Sequence, residues 1–343
     1  MRLLTRGRVA ATILLLALVA AVVLYLVPSN QYYVFIPDRA HALAPLVKVA
    51  GEPQRDGHGG VYFVDVRYRK ARLLEDLLGR PLARGSTLVA VRDVTGGASE
   101  QQQQRIDLGE MEESQRVAAA LALNRTGHHV KIRLPAVVIR QVESTAPAHR
   151  VLRHGDRILA VDGARVTSTA RLRQLLSTRQ PGRSVTLRIR RGRRVLDVTV
   201  RTMADPLDRS RAVIGVLVQE LGGLIGKLPL RVRIDTGGIG GPSAGLAFAL
   251  DLLEELGQNV DRGYKVAATG ELALDGTVVP IGAVKQKTIG AREAGVDVFL
   301  VPAGGNARDA RRYADGLRII PVKSFPQALH ELATLPKRRS PDA

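Results

Sequence analysis

A serine in a glycine-rich run has the surroundings of a reactive nucleophile. The run reads GGIGGPSAG, covers 237–245, and contains Ser243. Apolar residues at 230–234 predict a strand before it, and the pattern over 243–256 predicts a helix after it. Pro242 suits the first turn of that helix, because its missing N–H would have no partner there. Backbone N–H groups of Gly241 and Ser243 are therefore expected to stabilise an oxyanion.

The glycine-rich run by itself leaves two interpretations open. It can present a nucleophile, or it can be an ordinary helix start with an anion-binding loop. A dinucleotide fingerprint is excluded because Ser243 stands where the third glycine should be, and the sequence has no Walker A loop. Asp251 and Glu254, on the helix that follows, are predicted to face solvent.

A lysine on a second predicted helix, 283–294, offers the base that a serine nucleophile needs. Lys287 shares one face of this helix with small and apolar residues, whereas Lys285 lies on another face. Burial lowers the pKa of a lysine, and a neutral lysine can accept the proton of Ser243. The alternative is a lysine that lies along the apolar stripe with its ammonium group in water.

Other catalytic chemistries receive less support. A Ser–His–Asp triad is the rival mechanism, but His128 and His129 are remote in sequence from both motifs and are predicted to be surface loop residues. The sequence has no cysteine, which excludes a thiol nucleophile, disulfides and thiolate metal sites. We predict no metal site and no cofactor.

The charge balance bears on the kind of partner that the protein binds. The 343 residues suggest about two domains. Lys and Arg number 51 against 32 Asp and Glu, which gives a net charge of +19. The arginines are scattered, and aromatic residues, at 3%, are too few to favour base stacking. We therefore predict no nucleic-acid partner, and an anionic surface fits the charge as well.

The N-terminal residues predict a membrane anchor. Residues 9–27 carry no charge, and the stretch is long enough to cross a bilayer as a helix. Arginines at 2, 6 and 8 predict a cytoplasmic segment over 1–8. A cleaved signal peptide is the alternative, but the apolar stretch is long and lacks an A-x-A site. We predict a single-pass protein of the cell membrane whose other domains are extracytoplasmic.

A second module is indicated between the early residues and the glycine-rich run. HGDRILAVDG, 154–163, follows a loop with Pro147, and a Pro181–Gly182 turn precedes two predicted strands. The stretch 133–203 resembles a PDZ domain. PDZ domains bind extended peptides by adding them as a strand. The resemblance implies peptide binding at four consecutive residues: Ala136, Val137, Val138 and Ile139.

The two reactive segments together resemble the catalytic domain of Lon proteases. The shared motifs are GPSAG at 241–245, TGE at 269–271 and GAVKQK at 282–287. Ala283 replaces the second glycine of the family's lysine motif, and Gly240 replaces a common acidic residue. Farther upstream, LGEMEES at 108–114 resembles a helix early in the same domain.

The resemblance implies a role for three side chains. Ser243 is expected to be the nucleophile and Lys287 its base, while Thr269 helps to hold the lysine. The implied activity is that of an ATP-independent serine endopeptidase. It would cleave extended segments of extracytoplasmic or membrane proteins that the PDZ domain recruits. The alternative is a catalytically silent, membrane-anchored PDZ scaffold. Because Lon relatives assemble into rings, the resemblance also admits a homo-oligomer.

The expected fold class is α+β, with one transmembrane helix and a Lon-type domain divided by the PDZ module. The first part of the Lon-type domain is expected over 59–130 and the catalytic part over 212–335. Residues 28–58, rich in proline and glycine, are predicted to be a stalk or linker, and 336–343 a disordered tail.

Overall fold

The computed structural model describes residues 2–52, 59–95, 99–205, 212–224 and 226–337. The helices are α1 (Arg2–Leu26), α2 (Leu73–Leu78), α3 (Val91–Thr95), α4 (Glu100–Arg125), α5 (Thr169–Ser177), α6 (Gly245–Glu255), α7 (Val284–Glu293), α8 (Gly305–Arg312) and α9 (Phe325–Ala333), with 3-10 turns at Pro147–Arg150 and Pro242–Ala244.

The strands, in chain order, are β1 (Pro28–Pro37), β2 (His41–Ala42), β3 (Val47–Val49), β4 (Gly60–Phe63), β5 (Val66–Arg72), β6 (Thr87–Ala90), β7 (Ile132–Val142), β8 (Arg157–Val161), β9 (Ala164–Arg165), β10 (Ser184–Arg191), β11 (Arg194–Arg201), β12 (Met203–Ala204), β13 (Ala212–Val213), β14 (Val216–Leu224), β15 (Val232–Ile234), β16 (Lys265–Ala268), β17 (Glu271–Leu272), β18 (Val278–Val279), β19 (Val298–Pro302) and β20 (Arg318–Val322). The chain forms two compact units: unit 1 holds 1–116, 232–271 and 280–343, and unit 2 holds 117–231 and 272–279.

Unit 1 is built on a five-stranded sheet in the order β2-β4-β16-β19-β20. Strands β4, β16, β19 and β20 are parallel, and β2 joins the edge antiparallel. Parallel neighbours need a crossover connection, which is usually a helix. Helix α7 lies between β16 and β19 in the chain, and α8 lies between β19 and β20. The predicted α+β class is therefore wrong, because the strands and helices alternate in a mixed α/β fold.

The predicted membrane anchor is also wrong. A helix that crosses a bilayer needs about 20 predominantly apolar residues. Within the part of the chain that the structure describes, no helix has the combination of length and apolarity that a membrane span requires. This finding overturns the transmembrane helix predicted over 9–27 and, with it, the predicted single-pass location with extracytoplasmic catalytic and PDZ domains.

Residues 28–52, predicted to be part of a stalk or linker, contain strands and lie in unit 1. Strand β1 is the central strand of a sheet ordered β5-β1-β6. Its segment YYVFIP is rich in aromatic and β-branched residues, which favour a half-buried strand. Tyr33 and Val34 are buried, and the Tyr33 ring contacts Tyr68 edge to face at 5.4 Å. The rest of the predicted stalk, 53–58, lies outside the described residues.

Unit 2 contains a sheet in the order β11-β10-β8-β7-β14, with β9 paired to β8. Its core holds apolar side chains that include Ile139, Ile158 and Leu187. The Gly–Asp pair of the run 154–163 has a structural role here. The Asp156 carboxylate is buried and accepts two hydrogen bonds from Arg191, at 2.7 and 2.6 Å. A paired buried carboxylate is tolerated because its hydrogen bonds are satisfied.

Candidate active site

Ser243 and Lys287 meet in unit 1 although they are 44 positions apart in the sequence. The lysine Nζ lies 2.5 Å from the serine Oγ. Ser243 sits in the 3-10 turn Pro242–Ala244 that leads into α6, and Lys287 lies in α7. Gly241 precedes the turn with φ of +93°, a conformation that favours glycine. The local sequence therefore presents the hydroxyl, and the packing of α7 brings the amine to it.

Lys287 is a buried amine. Only 4% of it is exposed, and burial lowers its pKa from 10.5 to about 8. The charge of Asp65 acts in the opposite direction and is the smaller effect. A lysine with a pKa near 8 is partly neutral at neutral pH, so it can accept a proton from a hydroxyl group.

Thr269 contacts both residues of the pair, the serine through its backbone and the lysine through its side chain. Its Oγ1 donates a hydrogen bond to the Ser243 carbonyl at 3.1 Å and lies 3.5 Å from the Lys287 Nζ. The Gly270 N–H donates to the same Ser243 carbonyl at 2.8 Å. Thr269 is fully buried. The segment that resembles the TGE motif thus holds the backbone of the serine and contacts the lysine.

The two predicted oxyanion donors differ in the structure. The Ser243 N–H has no hydrogen-bond acceptor within the described part of the chain, so it is available at the start of the helix. The Gly241 N–H donates to the Asp107 carbonyl at 2.7 Å. An oxyanion role for Gly241 requires that bond to break. A Cβ at position 240 would lie 2.6 Å from the Cβ of Asp107, which is in α4. Glycine at 240, in place of the acidic residue common in the family, therefore leaves room for α4.

Two further side chains support the site, and sequence analysis assigned them no role. The Ser114 hydroxyl, in α4, donates to the Pro242 carbonyl at 2.9 Å and holds the turn that carries Ser243. Asp65 follows β4 and is the acid whose charge acts on Lys287. Its position after a buried parallel strand is a general sign of a functional edge and could have pointed to it.

Asp65 also belongs to a group of three possible metal ligands. Ligand atoms of Asp38, His41 and Asp65 lie within 4.8 Å of one another. Protein partners already contact them: Arg67 lies 3.0 Å from Asp38, and His41 lies 3.2 Å from Asp65. These contacts explain the cluster without an ion, and we assign no metal to it.

Asp251 and Glu254 are buried in α6, which corrects the prediction that they face solvent. Burial, and next the charges of Glu255 and Glu254, raise the pKa of Asp251 to about 8. Glu254 accepts the backbone N–H groups of Val260 and Asp261. All residues of α6 are buried, so the helix has no solvent face on which these acids could lie.

The predicted peptide-binding residues 136–139 lie in β7, whose two edges are both paired. One edge pairs with β14 along most of its length, and the other pairs with β8 at Val137 and Val138. An added peptide strand would have to displace one of these neighbours.

The two histidines considered for a Ser–His–Asp triad lie in unit 2. The His128 Nδ1 lies 3.1 Å from the Thr126 hydroxyl, and His129 is exposed.

Two family models match the chain. The model of the PDZ domain matches residues 106–202. The model of the Lon protease (S16) C-terminal proteolytic domain matches residues 229–334. A solved PDZ domain of an SdrC-like protein from Listeria monocytogenes is 23% identical, with a TM-score of 0.24, and the match covers 26% of this chain and 93% of that one.

Curated Lon proteases are similar to part of the chain. Lon protease 1 of Myxococcus xanthus is 38% identical over 101 residues, 28% of this chain and 12% of that protein. Lon protease 2 of Bacillus subtilis is 36% identical over 98 residues, 29% of this chain and 17% of that protein. The match thus spans less than a fifth of these relatives' length. Both resemblances are confirmed: the chain contains a PDZ domain and the C-terminal proteolytic domain of the Lon protease family, and it is a homologue of Lon proteases.

Proposed function

We propose that the chain is a serine endopeptidase that uses Ser243 as nucleophile and Lys287 as general base. The observation that carries this proposal is the 2.5 Å contact between the Ser243 Oγ and the buried Lys287 Nζ. A hydroxyl is a weak nucleophile until an adjacent base removes its proton. The sequence has no Walker A loop, so we propose a reaction that does not consume ATP and a substrate that is already extended.

The reaction begins when neutral Lys287 accepts the Ser243 proton and the Oγ attacks a peptide carbonyl. The oxyanion of the tetrahedral intermediate faces the free N–H of Ser243, whose position at the helix start favours negative charge. The Lys287 ammonium then gives its proton to the leaving amine as the peptide bond breaks. Water hydrolyses the acyl-enzyme, with Lys287 again as base. Thr269 keeps the serine carbonyl and the lysine in place.

For the PDZ domain we propose capture of extended peptide segments, with the binding edge moved from β7 to β14. Within the described residues β14 is the last strand of its sheet, so one edge is open for an added strand. Helix α5 lies beside it, where the Thr169 N–H donates to the Glu220 carboxylate at 2.8 Å. Peptides that add at β14 would be presented to the protease as extended chain.

The division of the proteolytic domain into 59–130 and 212–335 also remains a proposal. The interruption of unit 1 by residues 117–231 supports it. A homo-oligomer remains an analogy with other Lon proteins.

The test is cleavage of an unstructured polypeptide by the full chain. Ser243→Ala and Lys287→Met should each lower the rate by at least about a thousandfold, as loss of a nucleophile or base does elsewhere. Lys285→Met is the matched control, because Lys285 lies in the same helix and donates to the Ser86 carbonyl instead. It should retain activity.

The same experiment separates the enzyme from a silent PDZ scaffold. A scaffold would bind peptides but leave the polypeptide uncut, and a serine-reactive fluorophosphonate probe would not label Ser243. Equal cleavage by the wild type and both dyad variants would refute the mechanism.

A further inference from the structure

A cleft of about 490 Å³ lies in unit 1 next to the loop that carries the nucleophile. Gly237 and Ile239 line it, and both belong to the segment between β15 and Ser243. His41 and Phe63 line it as well, with their rings stacked at 5.2 Å. The cleft is therefore bounded in part by the loop that leads to the serine.

His41 links the lining of the cleft to Lys287 through Asp65. The His41 Nε2 lies 3.2 Å from the Asp65 carboxylate. The charge of Asp65 in turn acts on Lys287. The lining of the cleft is thus linked to Ser243 through the loop that follows Ile239, and to Lys287 through Asp65.

The cleft also carries an unusual pair of charges. Strands β3 and β15 pair antiparallel, and the register places Arg233 directly opposite Lys48. Both are exposed and line the cleft, whereas their neighbours Val47 and Ile234 are buried. Like charges directly opposite each other destabilise a strand pair. Among the described residues neither cation forms an ion pair, so their charge is available to a ligand.

Asp235 is the acidic residue in the lining of the cleft, and it does not neutralise these cations. Its Oδ1 accepts the Gly237 N–H at 3.1 Å and so serves the turn of its own loop. With two cations against one carboxylate, the lining of the cleft has a positive balance. A cleft lining with a positive balance favours an anionic side chain of a bound peptide.

We propose that this cleft binds an acidic side chain, aspartate or glutamate, close to the scissile bond of the substrate. Lys48 and Arg233 are then specificity-determining residues. This inference rests on the proposed protease function and names its preferred substrate class. The guanidinium of Arg233 and the ammonium of Lys48 both donate hydrogen bonds to a carboxylate, which are stronger than hydrogen bonds between neutral groups.

The test uses fluorogenic peptides that are identical except for Glu, Gln or Lys at one position, scanned along both sides of the scissile bond. At one position the wild type should cleave the Glu peptide about tenfold faster in kcat/KM than the Lys peptide, a difference of about 1.4 kcal/mol. The double variant Lys48→Glu, Arg233→Glu should reverse that order. Arg308→Glu, at an exposed position of α8 outside the cleft, is the matched control and should keep the wild-type order.

A second measurement separates this inference from the proposed function. Ser243→Ala should bind the labelled Glu peptide more tightly than the Lys peptide, and added salt should weaken the preference. If the wild type cleaves all three peptides equally, or if the double variant keeps the wild-type order, the cleft does not select acidic side chains. If no peptide is cleaved but the binding preference holds, the protease proposal fails and the cleft remains an acidic-peptide site.

Discussion

Replacing Lys287 with methionine should make the protein more stable while it abolishes activity. Burial lowers the lysine pKa from 10.5 to about 8. Each pKa unit corresponds to about 1.4 kcal/mol, so the charged form of Lys287 costs the folded state roughly 3 kcal/mol at neutral pH. Methionine has a similar length and carries no charge. Loss of the hydrogen bond to Ser243 offsets about 1 kcal/mol, which leaves a net gain of about 2 kcal/mol.

The pH dependence of the gain follows from the direction of the shift. The unfolded chain holds the proton more tightly than the folded chain, so the penalty is fully present below pH 8. It disappears as the pH rises from 8 through 10.5, and above 10.5 the lysine is mostly neutral in both states. The methionine variant should therefore be more stable than the wild type at pH 7 and no more stable at pH 10.5.

The assay is urea unfolding followed by circular dichroism, since the sequence has no tryptophan. Lys285→Met, in the same helix, is the control for a general effect of methionine and should bring no such gain. If Lys287→Met is no more stable than the wild type at pH 7, the lysine is not disfavoured by burial. Lys287 would then be charged and well paired in the folded protein, and the mechanism could not begin with a neutral lysine.

Three further outcomes are expected. For the wild type, kcat/KM should rise with pH and level off above about 8 as Lys287 loses its proton; a flat profile between pH 6 and 9 would contradict a lysine base. Asp251→Asn should raise the unfolding free energy much more at pH 8 than at pH 4. Burial raises the pKa of Asp251 to about 8, so the penalty for its charge grows between these two pH values. Urea unfolding at both pH values measures the difference, and an equal change at both would count against it. Gly290→Ala should destabilise unit 1 by about 3 kcal/mol or more, because a Cβ there would lie 1.7 Å from the Asp38 carbonyl oxygen. Gly109→Ala, in α4 with open space around it, should raise stability by about 0.5–1 kcal/mol; equal thermal stability of the two variants would refute the packing argument.

The sequence predicted the reactive pair because its requirements are mostly local. Gly241 needs a positive φ, Pro242 suits the first helical turn, and Ser243 follows at the helix start. The spacing of α7 places Lys287 on its apolar face in the same way. These features depend on residues within a few positions, so their pattern could be recognised without the fold. The PDZ domain and the Lon proteolytic domain were identified from the same kind of evidence.

Features that depend on what packs against a segment could not be predicted from the sequence. Residues 28–52 supply strands whose partners are distant in sequence, and proline content gives no sign of that pairing. Asp251 and Glu254 are on a helix that is buried on every side, which no periodicity within the helix reveals. The membrane anchor was inferred from hydropathy over 9–27, and the described helices do not bear it out.

The sequence by itself determined that a hydroxyl lies at a helix start and an amine on an apolar helix face, since both are properties of short segments. The tertiary structure alone decided which of their partners are available. It uses the Gly241 N–H in a bond to Asp107, places Thr269 and Ser114 on the backbone around Ser243, and closes both edges of β7. Hydrogen bonds between distant segments form only when the chain has folded, because they depend on distances that the order of residues does not specify.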